Sequence, residues 1–561
     1  MKTKDIIFGF FIIFIGLYLF AVNTFHLRNL IFDDAFYEFR YARNIKNGFG
    51  VKWNPSEVAT EGYSNFLAVL FYSLFFYLKC EPVFISHLIN IICVLMISII
   101  LYVLCKEDLI DRLVALTITA IYISTPSSAK HAMTGLNTSL FIFTVLLFFY
   151  TAIKAKNESS FKWLFVFLPA TYLLLILARL EGIFFASLFL LLLLYHSEKS
   201  KRKFFLSCII CYTIGLIYFA WKYFYFGSIF SNPFWIKVDI ELLPGKVELI
   251  LFILRYATLF IFALFGFIVS KEKLSSRYSL FFIILICSVY LFNRHIMGFD
   301  SRFFIPAIPF LLFLTAQTLD RLLSLITRRY RYLFLITILL FINPSNFNIR
   351  QGDYEFIGFK RLMFNRQKTY EYLLGEYGMR NNIQIANLLS NLKSISKIKI
   401  LSEDSGAIGY YSDAIVIDLL GHTHSYIARI KDNIQRLRYV LSFYSPDLII
   451  FRTGIDDYDC RYCNILEQEY LFLGHILDQL HPTAFYYLNF WIKKKSEYFK
   501  ELSDALNGIV NGYDRMNPYF LKVLHLELQA KLKTKRLINK FNKMRSLKVL
   551  TFENELIISV C

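Results

Sequence analysis

The sequence predicts a helical membrane protein that crosses the bilayer many times and continues into a water-soluble α/β domain. Composition is the first observation: of the 561 residues, 56% are hydrophobic and 18% aromatic, and the mean hydropathy is +0.48. These values are typical of membrane proteins. The pattern of apolar residues is the second observation. Up to residue 344, apolar runs long enough to cross a bilayer recur, about 20 residues each. After it, the periodicity is mixed and charged residues occur throughout.

The charges between the apolar runs predict the topology. By the positive-inside rule, lysine-rich and arginine-rich breaks are expected in the cytoplasm. These basic breaks are 106–112, 154–162, 198–203, 271–277 and 321–331. The remaining breaks are expected outside, namely the first loop, 126–138, 179–182, 227–248 and 294–304. About eleven transmembrane helices follow, with a cytoplasmic N-terminal anchor that is retained, and the apolar segment 63–78 is expected to lie in the outer interface.

The change of pattern after residue 344 predicts two domains, a transmembrane domain at 1–344 and an extracytoplasmic soluble domain at 345–561. In the second, apolar runs at 398–401, 415–419 and 448–451 alternate with helical patterns, which is typical of an α/β domain. Its last part, 490–561, is helix-prone and basic, so it is either a solvated face or a surface for anionic lipid or acidic glycan. Cys460 and Cys463 form either a local disulfide or two free thiols.

The first polar segment after the anchor, 31–66, has a composition unlike that of an ordinary loop. Adjacent acids, Asp33 and Asp34, precede Arg40 and Arg43 at helical spacing, and turn residues lead on to Glu61. A neighbouring cation keeps a carboxylate ionised, which suits a base beside groups that hold a phosphate. An ion-paired juxtamembrane helix explains the same residues, so both interpretations stay open at this point.

Other polar residues that packing does not readily explain also fall in the breaks expected outside. Ionisable groups at a membrane are costly, and they mark a site when they converge. The set comprises Asp33, Asp34, His131, Asn137, Arg179, Glu181, Asn232, Lys237, His295, Asp300 and Arg302. Their shared side predicts a pocket at the outer leaflet.

Several of these stretches resemble bacterial GT-C glycosyltransferases, a superfamily that includes relatives of the mycobacterial arabinofuranosyltransferases. The similar stretches are DDAF, RYARN and EGYSN in the first loop, MTGLNTSLF at 133–141, RLEG at 179–182, YFGSIFSNPFWIKV at 225–238, DSRF at 300–303, and 402–427 with 445–448. Leu180 stands where the family has a proline. Asn137 stands where it often has an acid, and there a helix N-cap by Asn137 or Thr138 is the expected role.

The resemblance implies an inverting glycosyltransferase that moves a sugar from a polyprenyl-phosphate-linked donor to a cell-envelope acceptor. It implies a site at the outer face of the cytoplasmic membrane, with Asp33, or else Asp34, as the catalytic base. Arg302, with Lys237 or Arg179, would neutralise the leaving phosphate. The full set of expected donor-binding residues is Arg40, Arg43, Glu61, Arg179, Glu181, Asn232, Lys237, His295, Asp300 and Arg302.

The expected partners are the lipid-linked donor, an envelope glycan, glycolipid or protein as acceptor, and membrane lipid. No cofactor is expected, although a divalent cation held by Asp33 and Asp34 is an open alternative. The net charge of +19 does not indicate nucleic acid, because basic loops account for it and no nucleic-acid-binding signature accompanies it. The alternative functions are a transporter of lipid-linked or acidic substrates, which a missing inverted repeat disfavours, and a non-catalytic envelope scaffold.

Overall fold

A computed structural model describes most of the chain, in two compact units. The described residues are 3–196, 201–237, 242–270, 274–292, 301–341, 371–454, 463–481 and 484–513. The units are Met1–Leu448 and Ile449–Cys561. The predicted domain boundary at 344 and 345 lies outside the described residues, so the division into 1–344 and 345–561 stays a prediction.

The first part of the first unit is helical. Its helices are α1 (Thr3–His26), α2 (Asp33–Lys46), α3 (Phe66–Tyr77), α4 (Pro82–Glu107), α5 (Arg112–Ser124), α6 (Pro126–Met133), α7 (Thr138–Glu158), α8 (Leu168–Ala178), α9 (Gly182–Tyr195), α10 (Lys201–Phe226), α11 (Asn232–Lys237), α12 (Leu242–Arg255), α13 (Ala257–Val269), α14 (Leu274–Tyr290), α15 (Ile308–Leu325) and α16 (Arg331–Phe341). A π-helical segment, Trp163–Phe167, runs directly into α8.

Five of the described helical segments are long and apolar enough to cross a membrane. They are α1, α4, α7, α10 and the segment Ile305–Leu325 that contains α15. Helices α12 and α13 would qualify as one span but are bent by 80° at their junction, and several shorter apolar helices accompany them. The chain is therefore a multi-pass membrane protein, as the sequence predicted, while the number of about eleven crossings stays a prediction.

Three of the breaks predicted to be cytoplasmic meet at one end of these helices. Hydrogen bonds run from Tyr332 to Asp5, from Ser275 and Gln317 to Asp108, and from the backbone of Asp111 to Asp320. These bonds join the start of α1 to the start of α16, and the break after α4 to α14 and α15. The described parts of three basic breaks, 106–112, 271–277 and 321–331, therefore lie on one side, as the predicted topology requires.

Helix α3 lies against α2 and is too short to cross the bilayer. Its 12 residues extend about 18 Å at 1.5 Å per residue, against about 30 Å of hydrocarbon. The hydroxyl of Tyr72, halfway along it, donates to Asn137 at 2.8 Å and contacts Ser86 at 2.9 Å. Both partners begin or precede membrane helices at the end opposite the basic breaks, which agrees with the predicted interfacial position of 63–78.

The rest of the first unit has α/β structure. Its elements are α17 (Glu371–Ser390), β1 (Lys399–Ser402), α18 (Ser405–Ser412), β2 (Ile415–Asp418) and α19 (Asn433–Phe443), and β3 (Leu448–Gly454) begins at its end. Strands β1 and β2 are parallel, with Lys399 opposite Ile415 and Ser402 opposite Asp418. Ile400, Leu401, Val416 and Ile417 are buried, which explains the continuous apolar runs in the sequence. The predicted α/β region is confirmed here.

The second unit contains a long hairpin and two helices among its described residues. The elements are α20 (Cys463–Leu466), β4 (Tyr470–His481), β5 (Ala484–Lys493) and α21 (Phe499–Tyr513). The strands are antiparallel, with Tyr470 opposite Lys493 and His481 opposite Ala484. The helical pattern predicted from residue 490 therefore begins only at Phe499. Residues 514–561 and Cys460 lie outside the described residues, so the predictions about them stay predictions.

A labelling experiment tests the topology. Val58, in the first loop, is 84% exposed, and Leu109, in a basic break, is 87% exposed. In a background with all nine native cysteines replaced by serine, we expect a membrane-impermeant maleimide to label Val58→Cys in intact cells and Leu109→Cys only after permeabilisation. Labelling of Leu109→Cys in intact cells would reverse the predicted orientation.

Candidate active site

Helix α2 is almost entirely enclosed, and its two faces have different partners. Phe36, Phe39 and Tyr41 are 0% exposed, although α2 lies outside the predicted membrane spans. Gly48 and Gly50 follow the helix with φ of 82° and 77°, a conformation that favours glycine, and they reverse the chain. One face of α2 contacts residues 405–416, and the other lines a cavity.

Asp33 lies on the face that contacts residues 405–416. Its carboxylate accepts hydrogen bonds from the backbone N–H groups of Gly406 at 2.7 Å and Ala407 at 2.9 Å, in the first turn of α18. A carboxylate is favourable at the positive end of a helix. Burial and the nearby Asp404 raise the pKa of Asp33 to about 8, against the lowering effect of the two N–H groups. Asp33 thus caps α18, and it does not line either cavity described below.

Arg40 is held by backbone carbonyls of the same region. It donates to the carbonyls of Trp53, Gly409 and Ala414 at 2.9, 2.6 and 2.9 Å and to Asn54 Oδ1 at 2.8 Å. Its guanidinium also lies over the Trp53 ring, 4.4 Å from the ring centre. All three nitrogens are engaged, so this geometry does not support the predicted role of Arg40 in donor binding.

Arg43, one turn further along α2, is engaged in the same way. It donates to the carbonyl of Tyr410 at 2.5 Å and forms an ion pair of 2.8 Å with Asp413. The indole of Trp53 donates to the carbonyl of Val416 at 2.7 Å, which adds a contact from the loop after α2. Arg40 and Arg43, which the sequence assigned to the donor, are therefore docking residues between α2 and residues 405–416.

The opposite face of α2 contributes Asp34 and Glu38 to a small cavity. The two residues are one helical turn apart, so their side chains lie on the same face. The cavity has a volume of about 30 Å³, room for about two water molecules or two hydroxyl groups. It is lined by Asp34, Tyr37, Glu38, Gly62, Tyr63, Ser64, Gly135, Leu136, Pro233, Lys237, Arg302 and His422.

A larger cavity adjoins the small one. Its volume is about 250 Å³ and its walls are mainly apolar and aromatic. It is lined by Ser64, Arg179, Leu180, Glu181, Phe184, Ser231, Pro233, Phe234, Lys237, Val289, Tyr290, Phe292 and Phe303. Ser64, Pro233 and Lys237 line both cavities, so Lys237 stands at the wall that they share.

Lys237 brings a positive charge close to Asp34. The Lys237 Nζ lies 4.0 Å from the Asp34 Oδ2. Short helix α11 positions Lys237 through Asn232, whose backbone N–H donates to the carbonyl of Glu61 and whose side-chain amide donates to the carbonyl of His422, both at 2.9 Å. Burial lowers the pKa of Lys237, while Asp34 raises it. Asn232 therefore supports the site without lining a cavity.

Arg302 enters the small cavity from the segment before α15. Its Nε donates to Thr138 Oγ1 at 2.8 Å and its Nη2 to the carbonyl of Leu136 at 3.0 Å. Among the described residues, its Nη1 has no hydrogen-bond partner. Burial and the neighbouring Arg179 lower the pKa of Arg302 to about 9. The guanidinium was expected to bind a phosphate through two hydrogen bonds. Because Nε and Nη2 already donate to Thr138 and Leu136, Nη1 is the nitrogen that remains for an anion.

Arg179 brings a second guanidinium, to the larger cavity. It follows α8, and its guanidinium lies over the rings of Phe141 and Phe303, at 5.2 and 5.6 Å from their centres. Glu181 is close, with an N–O distance of 3.9 Å, so the two residues form a loose ion pair at the cavity wall.

Glu38 belongs to a buried hydrogen-bond network. Asn137 donates to its carboxylate at 2.5 Å and accepts from Tyr72 at 2.8 Å and from Asn90 at 3.0 Å. Asn137 has a left-handed backbone (φ 53°) and makes no side-chain cap, so the expected N-cap by this residue is wrong. Burial raises the pKa of Glu38 to about 8, which keeps its carboxyl largely neutral at pH 7.

Glu61 was also predicted to bind the donor, and the structure pairs it with a lysine. The Glu61 Oε2 and the Lys222 Nζ of α10 are 2.8 Å apart, with side chains 6% and 3% exposed. Burial raises the pKa of Glu61 to about 6, against the effect of Lys222. The pair fixes the start of Gly62–Tyr63–Ser64, which lines the small cavity, and so it positions the site from outside.

The structure thus divides the predicted residues into three groups. Those at the cavities are Asp34, Arg179, Glu181, Lys237 and Arg302; those that support or dock are Asp33, Arg40, Arg43, Glu61 and Asn232; and His295 and Asp300 lie outside the described residues. Sequence reasoning missed Glu38, Tyr37 and His422. Glu38 carried a signal, its spacing of one helical turn from Asp34, whereas His422 carried none.

A shared cation at Asp33 and Asp34 finds no support in this geometry. The first carboxylate caps α18 and the second faces Lys237, so the two diverge. In the part of the chain that the structure describes, no group of three or more histidine, cysteine or acidic side chains is arranged to hold a metal.

The docking contacts predict a strong effect of Arg40→Met. The change removes four hydrogen bonds, to three carbonyls and Asn54, from a buried interface, and we expect a loss of about 3 kcal/mol or more. The thermal midpoint of the detergent-solubilised protein should fall clearly. Arg438→Met, on the exposed side of α19, is the matched control and should leave the midpoint in place. Equal midpoints in the two variants would show that Arg40 is not a docking residue.

Comparison with known proteins gives a partial family match and a likeness of fold. A family model described as a domain of unknown function (DUF8728) matches residues 368–499. No curated protein matches the chain. The structure is similar to that of ArnT from Cupriavidus metallidurans bound to undecaprenyl phosphate, with 12% identity and a TM-score of 0.53 over 87% of this chain and 98% of that chain.

Two further solved structures are similar at the same identity. ArnT of the same organism in the apo state has 12% identity and a TM-score of 0.52, over 85% of this chain and 97% of that chain. An Archaeoglobus fulgidus oligosaccharyltransferase complex with Zn and sulfate has 12% identity and a TM-score of 0.47, over 78% of this chain and 67% of that chain. The likeness to ArnT is one of fold, and it confirms the predicted fold class: the chain has the fold of the GT-C membrane glycosyltransferases.

Proposed function

We propose that the chain is an inverting glycosyltransferase that moves a sugar from a polyprenyl-phosphate-linked donor to a cell-envelope acceptor at the outer face of the cytoplasmic membrane. One observation carries the proposal. A carboxylate, Asp34, faces a lysine, Lys237, across 4.0 Å at the wall between a small polar cavity and a larger apolar one. This is the arrangement that a base, a leaving phosphate and a lipid chain need.

The donor fits the larger cavity. Its aromatic and aliphatic walls suit a prenyl chain, and Arg179 and Lys237 lie where a phosphate would meet the small cavity. Arg302 adds a third cation, which lines the small cavity. The likeness of fold to ArnT, which was solved with bound undecaprenyl phosphate, supports a lipid phosphate as ligand.

Asp34 is the base in this proposal. An acceptor hydroxyl enters the small cavity and attacks the anomeric carbon on the face opposite the phosphate, while its proton passes to the Asp34 carboxylate. The bond between the anomeric carbon and the phosphate oxygen breaks, and its electron pair leaves with the phosphate. The configuration at the anomeric carbon is inverted. Lys237 and Arg302 stabilise the charge that develops on the phosphate, so no acid needs to protonate it.

Glu38 keeps the balance of charge favourable. Because its carboxyl is largely neutral at pH 7, Asp34 is the main negative charge on the α2 side of the small cavity. The three cations then outnumber the acids that face the phosphate, even when the loose pair of Arg179 with Glu181 is counted. A cavity with this balance attracts an anionic lipid headgroup.

The first experiment compares the two adjacent acids. We expect Asp34→Asn to lower sugar transfer from undecaprenyl-phosphate sugars about 100-fold or more, with binding of the lipid nearly intact, because the proton acceptor is lost and the size is kept. Asp33→Asn should instead lower the thermal midpoint, because it weakens the cap of α18. Transfer is measured with the purified full chain and radiolabelled donors.

The outcome also separates the alternative functions. If Asp33→Asn abolishes transfer without loss of stability and Asp34→Asn leaves transfer intact, Asp33 is the base, as the sequence first favoured. If the native chain binds the lipid but transfers no sugar from any donor to any acceptor, including water, the scaffold or transporter interpretation replaces the enzyme.

The second experiment tests the phosphate site with undecaprenyl phosphate itself. Lys237→Gln removes a charge that lies in a sheltered position, and we expect the affinity to fall about tenfold or more, which corresponds to about 1.4 kcal/mol. Lys46→Gln, an exposed lysine at the end of α2, is the matched control and should leave the affinity unchanged. Binding is measured by native mass spectrometry over a titration. Equal affinities for the two variants would remove Lys237 from the lipid site.

A further inference from the structure

His422 lies in a tight turn that follows strand β2 and borders the small cavity. Asp418, the last residue of β2, is 0% exposed. Its carboxylate accepts hydrogen bonds from the backbone N–H groups of Leu420 at 3.0 Å and His422 at 2.5 Å. Gly421 has φ of 90° and lets the turn close. The backbone of His422 is therefore fixed by a buried carboxylate.

The same carboxylate also fixes the imidazole. The His422 Nδ1 lies 2.9 Å from the Asp418 Oδ2, and the ring packs against Tyr37, with 5.3 Å between ring centres. A carboxylate accepts hydrogen bonds and does not donate them, so Nδ1 carries the proton. In a neutral ring, Nε2 is then an acceptor. Within the described part of the chain Nε2 has no hydrogen-bond partner, and the residue lines the small cavity beside Asp34.

We propose that His422 is an acceptor-binding residue and that it selects acceptors with two neighbouring hydroxyl groups, as found on a sugar ring. The inference rests on the proposed function. One hydroxyl gives its proton to Asp34 as it attacks, and the adjacent hydroxyl donates a hydrogen bond to Nε2 of His422. His422 neither gains nor loses a proton in this step, so the balance of the reaction is that described for Asp34.

The selectivity follows from what a single hydroxyl leaves behind. An acceptor with one hydroxyl group, such as a serine side chain, satisfies Asp34 and leaves a sheltered Nε2 without a donor. A site built to bind a hydroxyl discriminates strongly against an analogue that lacks it. The acceptor class favoured by this cavity is therefore a glycan or glycolipid sugar rather than a protein side chain.

Two small probes isolate the second hydroxyl. The purified full chain is given a panel of radiolabelled undecaprenyl-phosphate hexoses and pentoses, with cis-1,2-cyclohexanediol or cyclohexanol as acceptor. We expect the diol to be preferred on the order of tenfold, beyond its twofold statistical advantage. His422→Leu should bring the ratio close to the statistical value, and His422→Gln, which keeps an acceptor atom, should restore part of the preference.

His424→Leu is the matched control, because His424 is two residues away in the same turn and does not line either cavity. It should keep the diol preference of the native chain. Transfer without a diol preference, or a preference that survives His422→Leu, overturns the role of His422 and leaves the proposed function standing. No transfer to diol, alcohol or water from any donor overturns both.

A second measurement needs no donor. Nitrogen-15 spectra of the histidine-labelled protein, with the His422→Leu spectrum subtracted, report which ring nitrogen carries the proton. We expect protonated Nδ1 and bare Nε2, and a loss of this tautomer preference in Asp418→Asn. A proton on Nε2 in the native chain would make the residue a donor towards the cavity and would overturn the inference.

Discussion

The arrangement of the site depends on the buried docking of α2 against residues 405–416. A guanidinium is costly to bury, and Arg40 is 2% exposed, so its burial is tolerated because the surrounding carbonyls accept from all three nitrogens. Asp33 adds a carboxyl group that accepts two backbone N–H bonds at the start of α18. These contacts hold only in one register, because one residue of rotation would withdraw both side chains from their partners. The helix is therefore fixed about its own axis.

That fixed rotation determines what faces the cavity. Successive residues of a helix point about 100° apart, so when Asp33 is turned towards α18, Asp34 points elsewhere, and Glu38 follows it one turn later. The cavity also takes Lys237 from α11, which is anchored through Asn232 to both the first loop and the turn at His422. Residues of α2, α11 and the turn at His422 are thus held around one small polar cavity.

The sequence predicted the fold class, because this depends on local hydrophobicity and charge. It did not predict which residue does what. An arginine at helical spacing binds a phosphate or a backbone carbonyl depending on what lies opposite, and the partners of Arg40 are about 370 positions away. Glu61 is similar: its partner, Lys222, is the one charged residue in the stretch 204–226 of α10. His422 lies in a turn that composition describes only as polar.

In the proposed reaction, the cluster of cations acts mainly on the transition state. The phosphate of the donor is a diester with one negative charge, and after the sugar leaves it becomes a monoester with a charge approaching two. Lys237 and Arg302 therefore interact more strongly as the bond breaks than in the bound donor, which is the condition for raising the rate rather than only the affinity. A neutral Glu38 favours the same step, because a second ionised carboxylate would repel the negative charge that develops on the phosphate. The stronger interaction with the developing charge also means that the lipid phosphate product binds more tightly than the donor.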